Sequence, residues 1–379
     1  MIVFIVECPS PYHTPVLNRL HELLADEMRV YYLYAADTSH GWGAIPATHR
    51  YVVLDGGPAW RTLAADLLSP ALRAVCVYGY RGRARAAAAL VARLRRRPLV
   101  VRGAANVRDE QRRTVLRRAV KRAYLRALLG QPEIWAGGSA NAAYWRMVGL
   151  RRHHPIPYAL HQLPGGEEGA EKLRADLGVA DRFVFAFVGR LEPIKGVGEL
   201  LRAYDIVRER TPRDATALVL AGRGSLEPEV RDYVDRHRDA HYLGAVPQER
   251  LGAAYAAADV FVAPSHREPW GWVVNETLGV GTRVIASVEM AAADDLCTEA
   301  TGRRCSVGDP DALAGQMLAE VRLGRRRAPR LACVDTARMM ADRLAALTGG
   351  GVRLDVDRRV PDPVGGPDVP PRRDPLGHH

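Results

Sequence analysis

Glu268 and Glu276 stand in DVFVAPSHREPWGWVVNETLGVGTRVIAS, residues 259–287, where burial alone would not place carboxylates. The segment reads as strand, loop, short helix and strand. Asp259 to Ala263 is a short apolar run ending at Pro264, the pattern of a buried parallel strand. Glu268 follows in the loop, just before Pro269, whose fixed φ suits a helix start. Glu276 lies inside the helix that begins near Gly271, and Gly279 and Gly281 close that helix before strand character resumes over 282–286. The N–H groups of Trp270 to Trp272 are expected at the carboxyl end of a sheet, where open α/β sheets hold ligands. Carboxylates flanking a helix N-terminus can hold hydroxyls while free N–H groups hold phosphate. That chemistry suits a sugar nucleotide.

A cation strengthens this reading. Among 54 basic residues, lysine occurs only at Lys121, Lys172 and Lys195, and arginine fills the other positions. Lys195 stands in VGRLEPIKG, directly after the apolar run Phe183–Val188 and close to Gly189, Arg190 and Gly196. A lone lysine there is most simply a solvated loop residue. With Arg190 beside it and the carboxylate pair downstream, it is placed to meet phosphate oxygens, as a point charge beside a planar fork.

The second half of the chain resembles a retaining glycosyltransferase of family 4, in the GT-B superfamily. The resemblance rests on GRLEPIKG at 189–196, AGRGS at 221–225 and EPWGWVVNE at 268–276, whose two glutamates are separated by seven residues. YLGAVPQERLGAAYAAADVFVAPS at 242–265 is close to the same family, and the likeness covers residues 183–320. It implies an α/β fold of two Rossmann-like, doubly wound parallel-sheet domains facing across a cleft, with a C-terminal helix crossing back to the first. It implies transfer, with retention, of a sugar from a UDP- or GDP-sugar to a hydroxyl of a small or lipid-linked acceptor, a natural-product or cell-envelope precursor. It assigns Glu276 to the donor ribose and Glu268 to the transferred sugar. Pro269, Trp270, Gly271, Gly189 and Gly222 fall in the donor-binding loops.

In such a reaction negative charge grows on the departing diphosphate. Some enzymes neutralise it with a metal held by a DxD motif. Here DPD at 309–311 reads as a turn and DVD at 355–357 lies in the tail, so neither is convincing. Arg190 and Lys195, helped by the helix N-terminus near Gly271, are expected to take the metal's place. No metal or cofactor is therefore expected. The competing class is a non-catalytic sugar-nucleotide-binding or scaffold protein of the same fold. A nicotinamide enzyme is disfavoured because no G-x-G-x-x-G opens a helix after the first strand.

The elements that must position these groups are legible as alternating strands and helices. At 379 residues the chain is long enough for two full cores. Strands are expected at 2–6, 29–33, 74–78, 98–101 and 133–136, and helices at 15–25, 83–95 and 109–129. The first domain spans 1–165 and binds acceptor. A linker reads across LHQLPGGEEGAEK, residues 160–172, and the donor domain spans 166–330. A helix at 331–348 returns to the first domain, and 349–379 is too rich in proline to pack, including His378 and His379.

His13 follows the first strand and is a candidate to orient or deprotonate the acceptor, against a plain polar loop residue. Trp42, Asn106 and Arg108 are further cleft candidates, whereas Ser139 and Asn141 read as helix caps. Pro9 to His13 replaces the paired-glycine loop that many family members place after the first strand. Arg223 and Arg283 stand where the family often has Asp and Pro.

Five scattered cysteines without CxxC suggest free thiols in a reducing compartment, and no apolar run approaches a bilayer span. A cytoplasmic location follows. The net charge of +11 concentrates in arginines of the first domain. In RRTVLRRAVKR, residues 112–122, Val115, Leu116, Ala119 and Val120 keep helical spacing. This reads first as a surface helix with a solvated basic face. Peripheral contact with the inner face of an anionic membrane is the alternative, and nucleic acid is disfavoured by the absence of a binding fold.

Overall fold

The computed structural model describes residues 1–24, 27–36, 45–158, 163 and 166–349. Trp42, parts of the 160–172 linker and the tail with its DVD lie outside the described residues.

The first domain begins with β1 (Ile2–Val6), α1 (Thr14–Leu24), β2 (Met28–Tyr32), β3 (Tyr51–Val53), α2 (Gly57–Leu68), β4 (Ala74–Tyr78) and α3 (Arg83–Leu94). It continues through β5 (Leu99–Arg102), α4 (Val107–Gln111), α5 (Val115–Leu129), β6 (Glu133–Ala136), α6 (Ser139–Met147) and β7 (His153–Pro155). These strands form one parallel sheet in the order β3-β2-β1-β4-β5-β6-β7, with Phe4 aligned to Val30 on one side and Cys76 on the other. Central strands β1 and β4 are buried along their whole length, which explains their unbroken apolar runs.

The second domain holds α7 (Glu167–Asp176), β8 (Phe183–Val188), α8 (Val197–Arg210), β9 (Thr216–Ala221), α9 (Glu227–Arg236), β10 (Ala240–Tyr242) and α10 (Gln248–Ala256). Then come β11 (Val260–Ala263), α11 (Trp272–Gly279), β12 (Arg283–Ser287), α12 (Ala291–Leu296), β13 (Gly302–Cys305) and α13 (Pro310–Leu323). Its parallel sheet runs β10-β9-β8-β11-β12-β13. In each sheet the order reverses at one place, between β1 and β4 and between β8 and β11. Loops leaving these pairs diverge and open a crevice at the carboxyl ends of the strands.

The last helix, α14 (Thr336–Leu347), buries Ala337, Met340, Ala341 and Leu344, one face at helical spacing, in the core of β1 and α1 of the first domain. The chain thus crosses between domains twice. The crossings touch where the Thr336 hydroxyl donates to the Pro157 carbonyl at 3.1 Å.

Three expectations need correction. The helix expected over 109–129 is two helices, because Thr114 takes an extended conformation and its hydroxyl caps α5 by accepting from the Arg117 N–H. Half of the 160–172 linker is helix α7, whose first turn carries Glu167 and Glu168 against the positive end of its dipole. Ser139 and Asn141 do not cap α6. Ser139 is its first residue, and the Asn141 amide instead donates to the carbonyls of Gly103 and Ala105.

Candidate functional site in the interdomain crevice

The loops after β8 and β9 are locked together backbone to backbone. Gly222 has φ +135°, and a Cβ there would lie 1.7 Å from the Gly189 carbonyl oxygen. Packing therefore accounts for the glycine at 222. Glu192 accepts from both the N–H and the hydroxyl of Ser225, which lowers its pKa and ties GRLEPIKG to AGRGS. The first of these loops is also held to the loop after β11, because the His266 N–H donates to the Ile194 carbonyl at 2.8 Å. Gly196, at φ +73°, leaves no room for a Cβ against the Pro264 carbonyl.

This scaffold brings Lys195 and Glu268 together across the β8–β11 reversal. Their side chains form an ion pair and are 20% and 19% exposed. Arg190 stands exposed at the mouth of the same loop, where its charge also favours ionised Glu192. Glu268 is fixed from its other side by a backbone bridge to Met290. Gly271 takes φ +101° as the N-cap of α11, close against the Met290 side chain.

Glu276 projects from α11 and accepts from the Tyr255 hydroxyl at 2.7 Å. Tyr12, from the loop after β1, gives it a second phenol hydrogen bond. Burial raises the Glu276 pKa from its ordinary value, and the two phenols pull it partly back. The Tyr12 hydroxyl is in turn pushed well up, first by burial and then by the charges of Glu276 and Glu268.

The loop after β1 thus reaches across the crevice. Tyr12 stacks on Trp272 with centroids 4.5 Å apart and planes 11° from parallel. His13 presents an edge to Tyr78 at 5.1 Å and another to Trp272 at 6.3 Å, so it does face the crevice, from the β1–β4 reversal. Tyr12, Tyr255 and the Trp272 ring were not singled out from sequence. Their only signal was position, Tyr12 beside His13 and Trp272 inside EPWGWVVNE.

Trp270 does not turn its ring toward Lys195 and Glu268. The indole is buried, donates to Asn275 at 2.8 Å, and packs on Tyr158 of the chain crossing. The Pro269 carbonyl accepts from the Asn106 amide at 3.3 Å. Both residues therefore serve contact between the lobes as well as the start of α11. Further lobe contacts are Arg108 with Asp294 at 2.5 Å, Arg112 with Glu289 at 2.8 Å and Arg267 with Asp109 at 2.7 Å. The Ser139 N–H at the start of α6 donates to Asp295 at 2.8 Å, a cap supplied by the other domain. A cavity of about 530 Å³ beside Trp270, Tyr158 and Asp295 is separate from the cluster, since Lys195, Glu268 and Glu276 do not line it.

Of the two departures from the family pattern, only Arg283 lies away from this cluster. Arg283 is a core residue of β12, paired through two nitrogens with Glu320. Arg223 follows β9, and its carbonyl accepts from the Leu191 N–H at 2.8 Å, beside Arg190. Asp309 of the DPD triplet caps α13 by accepting from the Ala312 N–H. Among the described residues, no group of three or more His, Cys, Asp or Glu is arranged to hold a metal, and no helix is long and apolar enough to cross a membrane.

Two lobes of this topology, with opposed crevices, define the GT-B fold. Solved structures agree. Anabaena Alr3699/HepE in complex with UDP superposes with a TM-score of 0.67 at 17% identity, over 92% of this chain and 97% of that one. A glycosyltransferase from Rickettsia africae ESF-5 gives 0.62 at 11% identity, over 93% and 94%. In sequence, residues 182–321 match the family model described as Glycosyl transferases group 1. The D-inositol 3-phosphate glycosyltransferase of Corynebacterium jeikeium is 35% identical over 133 residues, 33% of this chain and 32% of the relative. That of Corynebacterium diphtheriae is 37% identical over 132 residues, 33% and 31%. The match spans about a third of the length of these curated relatives.

Proposed function

We propose that this chain transfers a sugar from a UDP- or GDP-sugar to a hydroxyl of a small or lipid-linked acceptor, with retention and without a metal. The observation that carries the reading is the Lys195–Glu268 ion pair at the β8–β11 reversal, with Glu276 beside it on α11. Support comes from the match of residues 182–321 to Glycosyl transferases group 1 and from the UDP and UDP-glucose complexes of the structural neighbour.

The reaction breaks the bond from the anomeric carbon to the diphosphate oxygen and forms one from that carbon to the acceptor oxygen. Lys195 and Arg190 would balance charge on the departing diphosphate, together with the N-terminus of α11. Glu268 would accept from hydroxyls of the transferred sugar and Glu276 from the ribose. Lys195 then exchanges one anion for another, leaving Glu268 for phosphate as the sugar hydroxyls arrive. The proton of the acceptor hydroxyl would pass to the departing diphosphate oxygen as it attacks, and His13 at the opposite reversal would orient that hydroxyl. The family match begins at residue 182 and so says nothing of the acceptor-facing lobe.

The test is release of free UDP or GDP from a panel of donor sugars, with and without EDTA. Transfer that persists with chelator is expected. Tight nucleotide binding with no turnover on any donor would instead identify a sugar-nucleotide-binding protein, and loss of turnover with chelator would overturn metal independence.

A further inference from the structure

Helix α4 of the first lobe grips the loop that carries Glu268 on both sides of that residue. Asn106 caps this helix, its Oδ1 accepting from the Asp109 N–H at 3.1 Å, so one turn fixes both side chains together. The Asp109 carboxylate accepts from the Arg267 Nε at 2.7 Å. The Asn106 amide nitrogen donates to the Pro269 carbonyl at 3.3 Å. Residues 267 and 269 flank Glu268. A circuit of Asn106, Asp109, Arg267 and Pro269 thus closes around the carboxylate that pairs with Lys195.

The two legs of this circuit differ in kind. Arg267 is more than half exposed, and an ion pair so wet holds geometry only weakly. Asn106 is 2% exposed, and a buried carboxamide needs partners at both ends. Capping accounts for its oxygen, which serine or threonine could supply as well. Among the described residues, its nitrogen meets the Pro269 carbonyl. Proline has no N–H and its ring locks φ, so ψ is the soft dihedral left at 269, and ψ aims that carbonyl. Holding the carbonyl therefore fixes how the chain turns from Glu268 into α11. The second lobe anchors this loop at the Glu268 backbone, through Met290, and at the Trp270 carbonyl, which accepts from the Ala292 N–H at 2.8 Å. Between these anchors, Pro269 takes its hydrogen bond from the first lobe.

We propose that Asn106 is a positioning residue for Glu268. With the lobes together it sets the loop so that the carboxylate meets the transferred sugar; with the lobes apart that hold is lost. The assignment rests on the transfer reading and gives the first lobe a part in the donor's chemistry. It also separates two properties. Lys195 and Arg190 stand on the β8 loop, away from the circuit's hydrogen bonds, so nucleotide affinity should not follow Asn106.

Two variants of the full chain test this. Asn106→Ser keeps an oxygen for the cap and removes the N–H, whereas Arg267→Gln opens the other leg at an exposed position. Tm, calorimetric affinity for UDP and GDP, and kcat and KM of nucleotide release are read on each. Asn106→Ser should lower kcat about 10–100-fold, the effect of a misplaced reacting group, and leave nucleotide affinity within about twofold. Arg267→Gln should lower kcat about tenfold or less, and the double variant should fall no more than about twofold below Asn106→Ser, since both act through one loop. Wild-type kcat in Asn106→Ser overturns the assignment. So does a kcat loss matched by equal loss of nucleotide affinity, which marks a purely structural residue. If Asn106→Ser does not fold, Arg267→Gln decides: lowered kcat at unchanged Tm supports the proposal and unchanged kcat overturns it. A wild type that releases no nucleotide from any donor fails the transfer reading and this assignment with it. Turnover in the wild type with unaltered variants overturns this assignment alone.

Discussion

Lys195→Ala separates the structural from the catalytic work of the ion pair. Side chains 20% and 19% exposed place the pair between an exposed bridge, worth about 0.2–1 kcal/mol, and a buried one, whose breakage costs about 3–5 kcal/mol. A loss of about 1–2 kcal/mol is expected, and for a domain of this size about 2–4 °C of Tm follows each kcal/mol. Removing a preorganised charge from the leaving group lowers turnover by about 10²–10³-fold. Adding Glu268→Gln removes the stranded carboxylate, so the double variant should recover most of the lost Tm and none of the turnover. Thermal unfolding, UDP and GDP titration calorimetry and nucleotide release read the three quantities on the same samples. Turnover that stays near wild type in Lys195→Ala, or that returns with Tm in the double variant, would refute the diphosphate role.

Glu276→Gln tests the second carboxylate through pH. Its pKa is raised by burial, so the favourable neutral form is present below the ordinary glutamate range and is lost as pH rises through the elevated value. The variant should therefore gain Tm relative to wild type near neutral pH, not in acid, while losing nucleotide affinity; a Tm difference independent of pH would contradict this. Arg283→Ala leaves Arg303 as the remaining partner of Glu320 among the described residues, with Glu320 1% exposed, and should cost about 1–3 kcal/mol in denaturant unfolding with no change in the KM for donor among molecules still folded. Gly222→Ala puts a methyl into the Gly189 carbonyl and should abolish nucleotide binding or folding altogether, read by soluble yield and calorimetry. A well-folded Gly222→Ala protein with normal affinity would show that the loops are not locked as described.

The legible parts of the fold were those decided locally. Strands β1, β4, β8 and β11 are unbroken apolar runs because both faces are covered, and glycine or proline marks where several loops leave them. β3 escaped notice because it is three residues long and partly exposed, and a strand that short carries no period. Helix α5 shows solvent Arg117, Arg122 and Arg126 as a basic surface face should, but Val115, Leu116, Val120 and Tyr124 are exposed with them. Spacing shows that apolar residues share an arc, but which arc meets the domain depends on Lys121, whose partners Glu110 and Tyr144 stand on α4 and α6. In the candidate site, Lys195, Glu268 and Glu276 were readable because they sit in contiguous motifs on one lobe. Tyr12 was not, because its partners Trp272 and Glu276 belong to the other lobe and to the far end of the sequence.

The chain passes between lobes at two points that touch, at Pro157 and Thr336, so a swing about that edge would leave both crossings intact. Sliding or twisting of one lobe over the other would pull this seam apart. A swing about it would part Tyr12 from Trp272 and Glu276, so on the proposed reading admission of a nucleotide and release of Glu276 would come together.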